Sequence, residues 1–228
     1  MIRRLVVLVV IAGALVAADL AARSYAESSL AEQAAAYYPP SGRSSASIES
    51  FPFLGRLAAS GHVPEVSLRL EDLVAQILTV RHLQFDLSDV TLDRSELVAG
   101  RVRVLDIGAG RVEALLDGGS LARAVGLDVR FTDGEVEVHR TVAGVDVSAR
   151  GRVTLEGNRL RIVPTSVQGL RLPASAFTIS YDIPGVELLP CPAEVRPVPE
   201  GLLVACAVDD IPPVLVPGVA ADAARSRS

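Results

Sequence analysis

Outside a helical N-terminus and a few short stretches, the chain alternates apolar and polar residues, and that pattern limits its folds more than any other feature. In "LQFDLSDVTL" Leu83, Phe85 and Leu87 share one face, with Gln84, Asp86 and Ser88 on the other. "RVRVLDI" sets Val102 and Val104 against Arg101 and Arg103, and "VRFTDGEVEVHR" is two short runs about Asp133-Gly134, a hairpin signal. "VDVSARGRVTLEGNRLRIVP" offers Val145, Val147, Val153 and Leu155, a turn at Gly157-Asn158, then Leu160 and Ile162. "AFTISYDIPG" adds Phe177, Ile179 and Tyr181. These spacings predict roughly nine or ten half-buried antiparallel strands with polar outer faces. So large an apolar face must be covered. A second sheet would cover it as a sandwich. One long helix and two short ones would cover it if the sheet curls around them, leaving a lengthwise aliphatic groove suited to acyl chains. Spacing alone does not choose between the two.

The helical expectations are few. Residues 19–37 read as a helix with a stripe of Leu20, Tyr25, Leu30, Ala34 and Tyr37, ended by the prolines of "YYPPSGRSS". Short helices are expected over residues 71–79, "EDLVAQILT", and 118–126, "GGSLARAVG". Before them stands "MIRRLVVLVVIAGALVAAD", with fourteen uncharged, mostly apolar residues from Leu5 to Ala18 behind Arg3 and Arg4. As a helix the run spans roughly 21 Å, short of the ~30 Å hydrocarbon core. A short core, a basic front and a Val16-Ala17-Ala18 exit fit an export signal cleaved after Ala18. The helical composition that continues past Asp19 fits an uncleaved anchor equally. Both readings keep Arg3 and Arg4 inside and export the rest. No cysteine follows the run, which rules out a lipid-modified cysteine anchor. The domain boundaries expected are 1–18 for the signal or anchor, 19–216 for one α+β domain and 217–228 for a disordered tail.

Composition removes several functions. All 22 basic residues are arginine, so no Schiff-base lysine, phosphate-loop lysine or Ser–Lys nucleophile pair exists. A net charge of −5 and an absence of Trp argue against nucleic acid, which needs a basic footprint and stacking aromatics. His62, His82 and His139 are scattered without metal-ligand spacing, and no Gly-x-Ser-x-Gly elbow occurs. No enzyme activity, cofactor or metal is therefore expected. Arg69, Arg101, Arg103, Arg150, Arg152, Arg159 and Arg161 read as solvated outer faces of strands.

Cys191 and Cys206 flank the turn chemistry of "PVPEG". If Arg196 pairs with Gly201 around a four-residue loop, the two cysteines face each other across the hairpin, and in an exported chain a structural disulfide is expected. The alternative is two buried free thiols. In "SASIESFPFLGRLAASG" two of the chain's five phenylalanines flank Pro52, which holds the segment extended and biases Phe51 away from helix. Phe51, Phe53, Leu54 and Leu57 read either as a plug at the end of the core or as the wall of a groove.

An export segment, a helix of the "AESSLAEQ" kind, "SFPFLGRLAASG", alternating strands, "GGSLARAVGL" and a closing "IPGVELLP…PVPEGLLVACAV" hairpin occur in that order. Together, over roughly residues 19–216, they resemble the actinobacterial LmeA-like phospholipid-binding proteins. The resemblance implies a tubular lipid-binding-like fold: α+β, with a large curved antiparallel sheet wrapped around a long N-terminal helix and short additional helices. It implies a non-catalytic envelope or periplasmic protein whose partners are phospholipid, anionic inositol lipids favoured, and a membrane surface. It ties such proteins to envelope lipoglycan assembly, against the alternative of a ligand-free scaffold. The lipid contacts expected are Phe51, Phe53, Leu54, Leu57, Phe85, Phe131, Phe177 and Ile179.

Overall fold

Paired antiparallel strands account for most of the described residues in a computed structural model, which describes residues 2–37, 41–75, 77–93, 95, 104–142, 144–168, 178–183 and 191–209. The first sheet runs β1 (Ser44–Glu49), β2 (His62–Ala75), β3 (Leu78–Leu92), β4 (Val104–Asp117), β11 (Gly201–Asp209) and β10 (Glu194–Val198), neighbours in that order. The second runs β5 (Asp128–Thr132), β6 (Glu135–Val142), β7 (Val145–Glu156), β8 (Arg159–Gln168) and β9 (Ile179–Asp182). Helices α1 (Ile2–Tyr37), α2 (Phe53–Ser60) and α3 (Gly118–Val125) make the fold α+β, with the sheets curled as a half-barrel. Curved antiparallel sheet beside a long N-terminal helix is the expected class. The curvature has local causes in β3, where register slips between Val80 and His82 and again between Thr91 and Leu92.

The turns follow their residues. Gly134 and Gly157 sit at φ 80° and 63°, closing the β5–β6 and β7–β8 hairpins where the sequence placed them. Helix α3 also stands where expected, capped by the Asp117 side chain and stopped by Gly126. Residues 71–79 do not form a helix. Residues 71–75 end β2 and 78–79 begin β3, with Leu73 opposite Val80 and Ala75 opposite Leu78. On each side of the turn neighbouring residues face opposite ways, Leu73 buried beside exposed Val74 and Leu78 buried beside exposed Ile77. Closing a long ladder with one buried face outweighs the weak helix preference of Leu, Ala and Gln.

Two further expectations are corrected. The closing hairpin pairs Val198 with Gly201, not Arg196 with Gly201, so its register differs by two residues. A side chain at Gly201 would meet the Leu116 backbone, and only glycine lets β11 start that close to β4. Cys191 therefore lies before the ladder, yet it is bonded to Cys206 at a Cα–Cα distance of 5.8 Å. The helix at 19–37 is the second half of one unbroken helix, and its docked stripe shares Leu30 and Ala34 with the one read from the sequence but differs before them. Leu20 and Tyr25 are exposed. Ala22, Ala26 and Leu30 pack on Ile48, Val63 and Val90, and Ala34 continues the row onto Leu70 and Leu73. Small residues four apart let the helix approach the sheet closely. Glu27, paired with Arg23, fixes that approach by accepting the Ile48 N–H on edge strand β1 at 2.9 Å.

The core has two main parts. One is the α1–α2 end of the first sheet, centred on Ile48, Phe53, Val63, Val90 and Ile107. The other joins the two sheets under α3, where Leu121 packs with Leu116, Leu202 and Val204 from the first sheet and Leu160 from the second. The tail expected at 217–228 lies outside the described residues.

Candidate functional site

Between these two packed regions the inner face of the first sheet is apolar and mixes buried residues with partly open ones. Strand pairing sets Leu68, Phe85, Val112 and Cys206 in one row across β2, β3, β4 and β11. Leu70, Leu83, Ala114 and Val204 form the next row on one side, and Val66, Leu87, Gly110 and Val208 the next on the other. The face is the one α1 covers, since Val66, Leu87 and Val208 pack in the cluster that holds Ala22, Ala26 and Leu30. Yet Leu68, Leu83, Phe85, Leu87 and Ala114 all keep part of their surface open. Among the described residues Phe85 joins none of the buried clusters. Leu68 and Leu83 pack against the buried Ala34, Leu70 and Leu73, and the disulfide-bonded Cys206 lies at the β11 end of the Phe85 row.

The outer face of the same strands is its chemical opposite. Ser67 Oγ and Gln84 Nε2 both donate to Asp86, at 2.8 and 3.0 Å, and His82 lies 3.8 Å from Glu113. Alternation thus sorts the sheet into a wet polar side and a dry inner side. Arg69, Arg150, Arg159 and Arg161 pair with Glu71, Glu137, Asp182 and Glu156 at the surface, as solvated strand faces should. Arg152 is exposed on β7, and Arg101 and Arg103 lie outside the described residues. Among the described residues no group of three or more His, Cys, Asp or Glu could hold a metal ion.

The expected contact residues are divided by the fold. Phe53 is buried at the α1–α2 end of the core, and Leu57 packs against the same cluster, so these two plug the sheet. Phe51 and Leu54 point away from it and are 61% and 41% exposed. They line a separate apolar pocket of about 210 Å³ with Pro52, Gly55 and the α1 residues Leu15, Val16, Ala18 and Asp19. Phe85 lies on the inner face of the first sheet, partly open. Phe131 packs under α3, against the glycine at 118, and Ile179 packs in the second sheet with Val129 and Ile162. Phe177 lies outside the described residues.

The sequence reading missed Asp19, which it took only as the end of the apolar run. Its carboxyl is buried and accepts the backbone N–H groups of Phe53 and Leu54 at 2.9 and 2.6 Å. Pro52, at the N-cap of α2, offers no side-chain cap, so α1 caps α2 from outside. No local pattern announces a cap that comes from 34 residues away. Leu83 and Leu87 were legible as inward residues, but their partners Leu70 and Val66 on β2 and Ala114 and Gly110 on β4 needed the register.

One titrating group is clearly shifted near the inter-sheet core. Burial pushes the Asp117 carboxyl up, but the Ser120 N–H and the Arg81 guanidinium, with Arg123 behind, outweigh it and hold it below the usual carboxylate value. Ser120 relays this cap, since its Oγ accepts the Thr79 N–H at 3.0 Å and donates to the Asp117 carbonyl.

A family model described as LmeA-like phospholipid-binding matches residues 17–206 of the chain. No curated protein and no solved structure matches it.

Proposed function

The chain belongs to the LmeA-like phospholipid-binding family, and from that premise we propose that it holds phospholipid without catalysis, with acyl chains along the inner face of its first sheet. The observation that carries the reading is Phe85, outside every buried cluster of the described residues, with its partly open apolar neighbours Leu68, Leu83, Leu87 and Ala114 on one face of the first sheet, which we read as the floor of an apolar trough. Such a surface in water is unfavourable by about 25 cal/mol per Å², which an acyl chain relieves at about 0.8 kcal/mol per buried methylene. The long aliphatic side chains and scarce aromatics suit a flexible chain better than a flat ligand. The headgroup stays at the rim, where an arginine meets the phosphate. An anionic inositol lipid, transfer between membranes and a role in envelope lipoglycan assembly are the finer parts of the proposal. The apolar N-terminal helix and the disulfide support an exported protein that works in the envelope at a membrane surface.

The test is organic extraction of the natively purified chain, followed by mass spectrometry. Near-stoichiometric phospholipid is the expected result. Protein that emerges lipid-free and ignores phospholipid vesicles would overturn the reading and leave a scaffold with an open face.

A further inference from the structure

Helix α1 carries two surfaces of opposite kind. From Ala22 onward its docked face lies on the sheet, whereas Leu8 and Leu15 are 65% and 67% exposed, and of the described residues only the start of α2 approaches the end of their half. An 18-residue window of α1 has a mean hydropathy of 2.6 and only 6% of it is buried. The change occurs at Asp19, and at that level α2 is attached through the two hydrogen bonds from Phe53 and Leu54. The exposed Phe51 and Leu54 thus extend sideways from the end of the apolar half-helix, continuous with it through the pocket they share with Leu15 and Val16.

We infer that this junction is a membrane seat: the first half of α1 is retained as an anchor, and Phe51-Pro52-Phe53-Leu54 is clamped to it by Asp19 so that Phe51 and Leu54 enter the outer interface of the bilayer. The occupant is a lipid bilayer because the surface continues a helix whose apolar half has no other cover. Length supports the same assignment. Leu5–Ala18 supplies roughly 21 Å of a ~30 Å core, so the outer boundary of the hydrocarbon falls no earlier than Asp19, the level at which α2 is attached. An interfacial element sinks its apolar side about 5–10 Å, which suits one Phe and one Leu standing clear of the core. Removal of residues 1–18 would delete Leu15, Val16 and Ala18, three of the eight residues that line the pocket. The anchor would hold the trough's α2 end at the membrane, so that a lipid need not cross open water to reach it.

The experiment uses the full chain, which has no native Trp, so that Phe51→Trp gives a single fluorescent reporter at an exposed position. The variant is reconstituted in vesicles of phosphatidylcholine with phosphatidylglycerol, with lipids brominated near the glycerol end or near the methyl end of their chains. Blue-shifted emission is expected, with roughly twofold quenching by the shallow bromines and less by the deep ones. Solvent-like emission that neither bromine quenches overturns the inference. So does a mass spectrum showing that chain purified from host membranes begins at Asp19. Asp19→Leu, checked for retained strand signal by circular dichroism, is expected to release α2 and lose the shallow quenching. Unchanged quenching in that variant would remove Asp19 from the seat. A parallel Phe85→Trp reporter in detergent-free protein loaded with brominated lipid reads the trough instead. Quenching at position 51 without quenching at position 85 would leave the seat standing and the lipid-trough reading fallen.

Discussion

At the scale of single residues, position within a packed cluster decides what a substitution does. Phe51 and Phe53 are two residues apart and chemically identical, yet one is exposed and the other sits among Ile48, Val63, Val90 and Ile107. Phe53→Ala should cost about 3–5 kcal/mol of stability, and Phe51→Ala should stay within about 0.5 kcal/mol, read from urea midpoints. The sequence singled out the pair but not which member faces inward, because Pro52 makes the segment extended without fixing its rotation. Asp117 is a residue whose role is chemical. It caps α3 and binds Arg81, and its carboxyl is held low. A depressed folded value means that its stabilisation is fully present above the unfolded value of about 3.9 and is lost as the pH falls through the folded value. Asp117→Ala should cost about 1 kcal/mol near neutrality. Asp117→Asn, which keeps an oxygen for the Ser120 N–H but no charge, should flatten the acid limb of the melting curve below about pH 4.

At the scale of elements, what was legible was whatever depends on neighbours in sequence. The Asp133-Gly134 and Gly157-Asn158 turns and helix α3 follow from local chemistry, and each appears where its residues put it. The failures share a cause, which is register set by distant partners. "EDLVAQILT" became the β2–β3 connection because Leu73 and Leu78 are buried in ladders that run far beyond that window. Of the docked α1 stripe, Leu30 and Ala34 are legible in the sequence and Ala22 and Ala26 are not, because alanine carries little hydrophobic signal, although it is what close helix–sheet contact requires. The cysteines were legible as a pair but not as a register. Their bond now ties the segment before β10 to the buried face of β11, across 15 residues of chain. A loop of that size predicts about 3 kcal/mol from closure entropy. Guanidinium melts with and without reductant should separate by that amount, and Cys191→Ser should match the reduced protein.

For the whole molecule the question is why an apolar surface stays open. Alternating strands leave the choice between sandwich and curled sheet undecided, since both bury one face. The structure divides the work. The second sheet and α3 close one end of the first sheet, α1 and α2 close the other, and the rows around Phe85 lie between them. A pattern of inward residues cannot reveal that gap, because Leu83 and Phe85 alternate as regularly as the buried Val136 and Val138. The two remaining phenylalanines of the described chain make the distinction measurable. Phe131 fills space under α3 beside Gly118, and Phe85 fills nothing among the described clusters. Phe131→Ala should therefore lower the melting temperature and leave lipid affinity of the folded protein unchanged. Phe85→Ala should do the reverse. Loss of about 1.5–3 kcal/mol of ring burial against an acyl chain corresponds to roughly 10- to 100-fold weaker retention. Titration of the delipidated protein with phospholipid, alongside its melting curve, reads both quantities on one sample. Equal effects of the two substitutions on stability, with no effect of either on affinity, would mean that the rows around Phe85 belong to the core and hold no lipid.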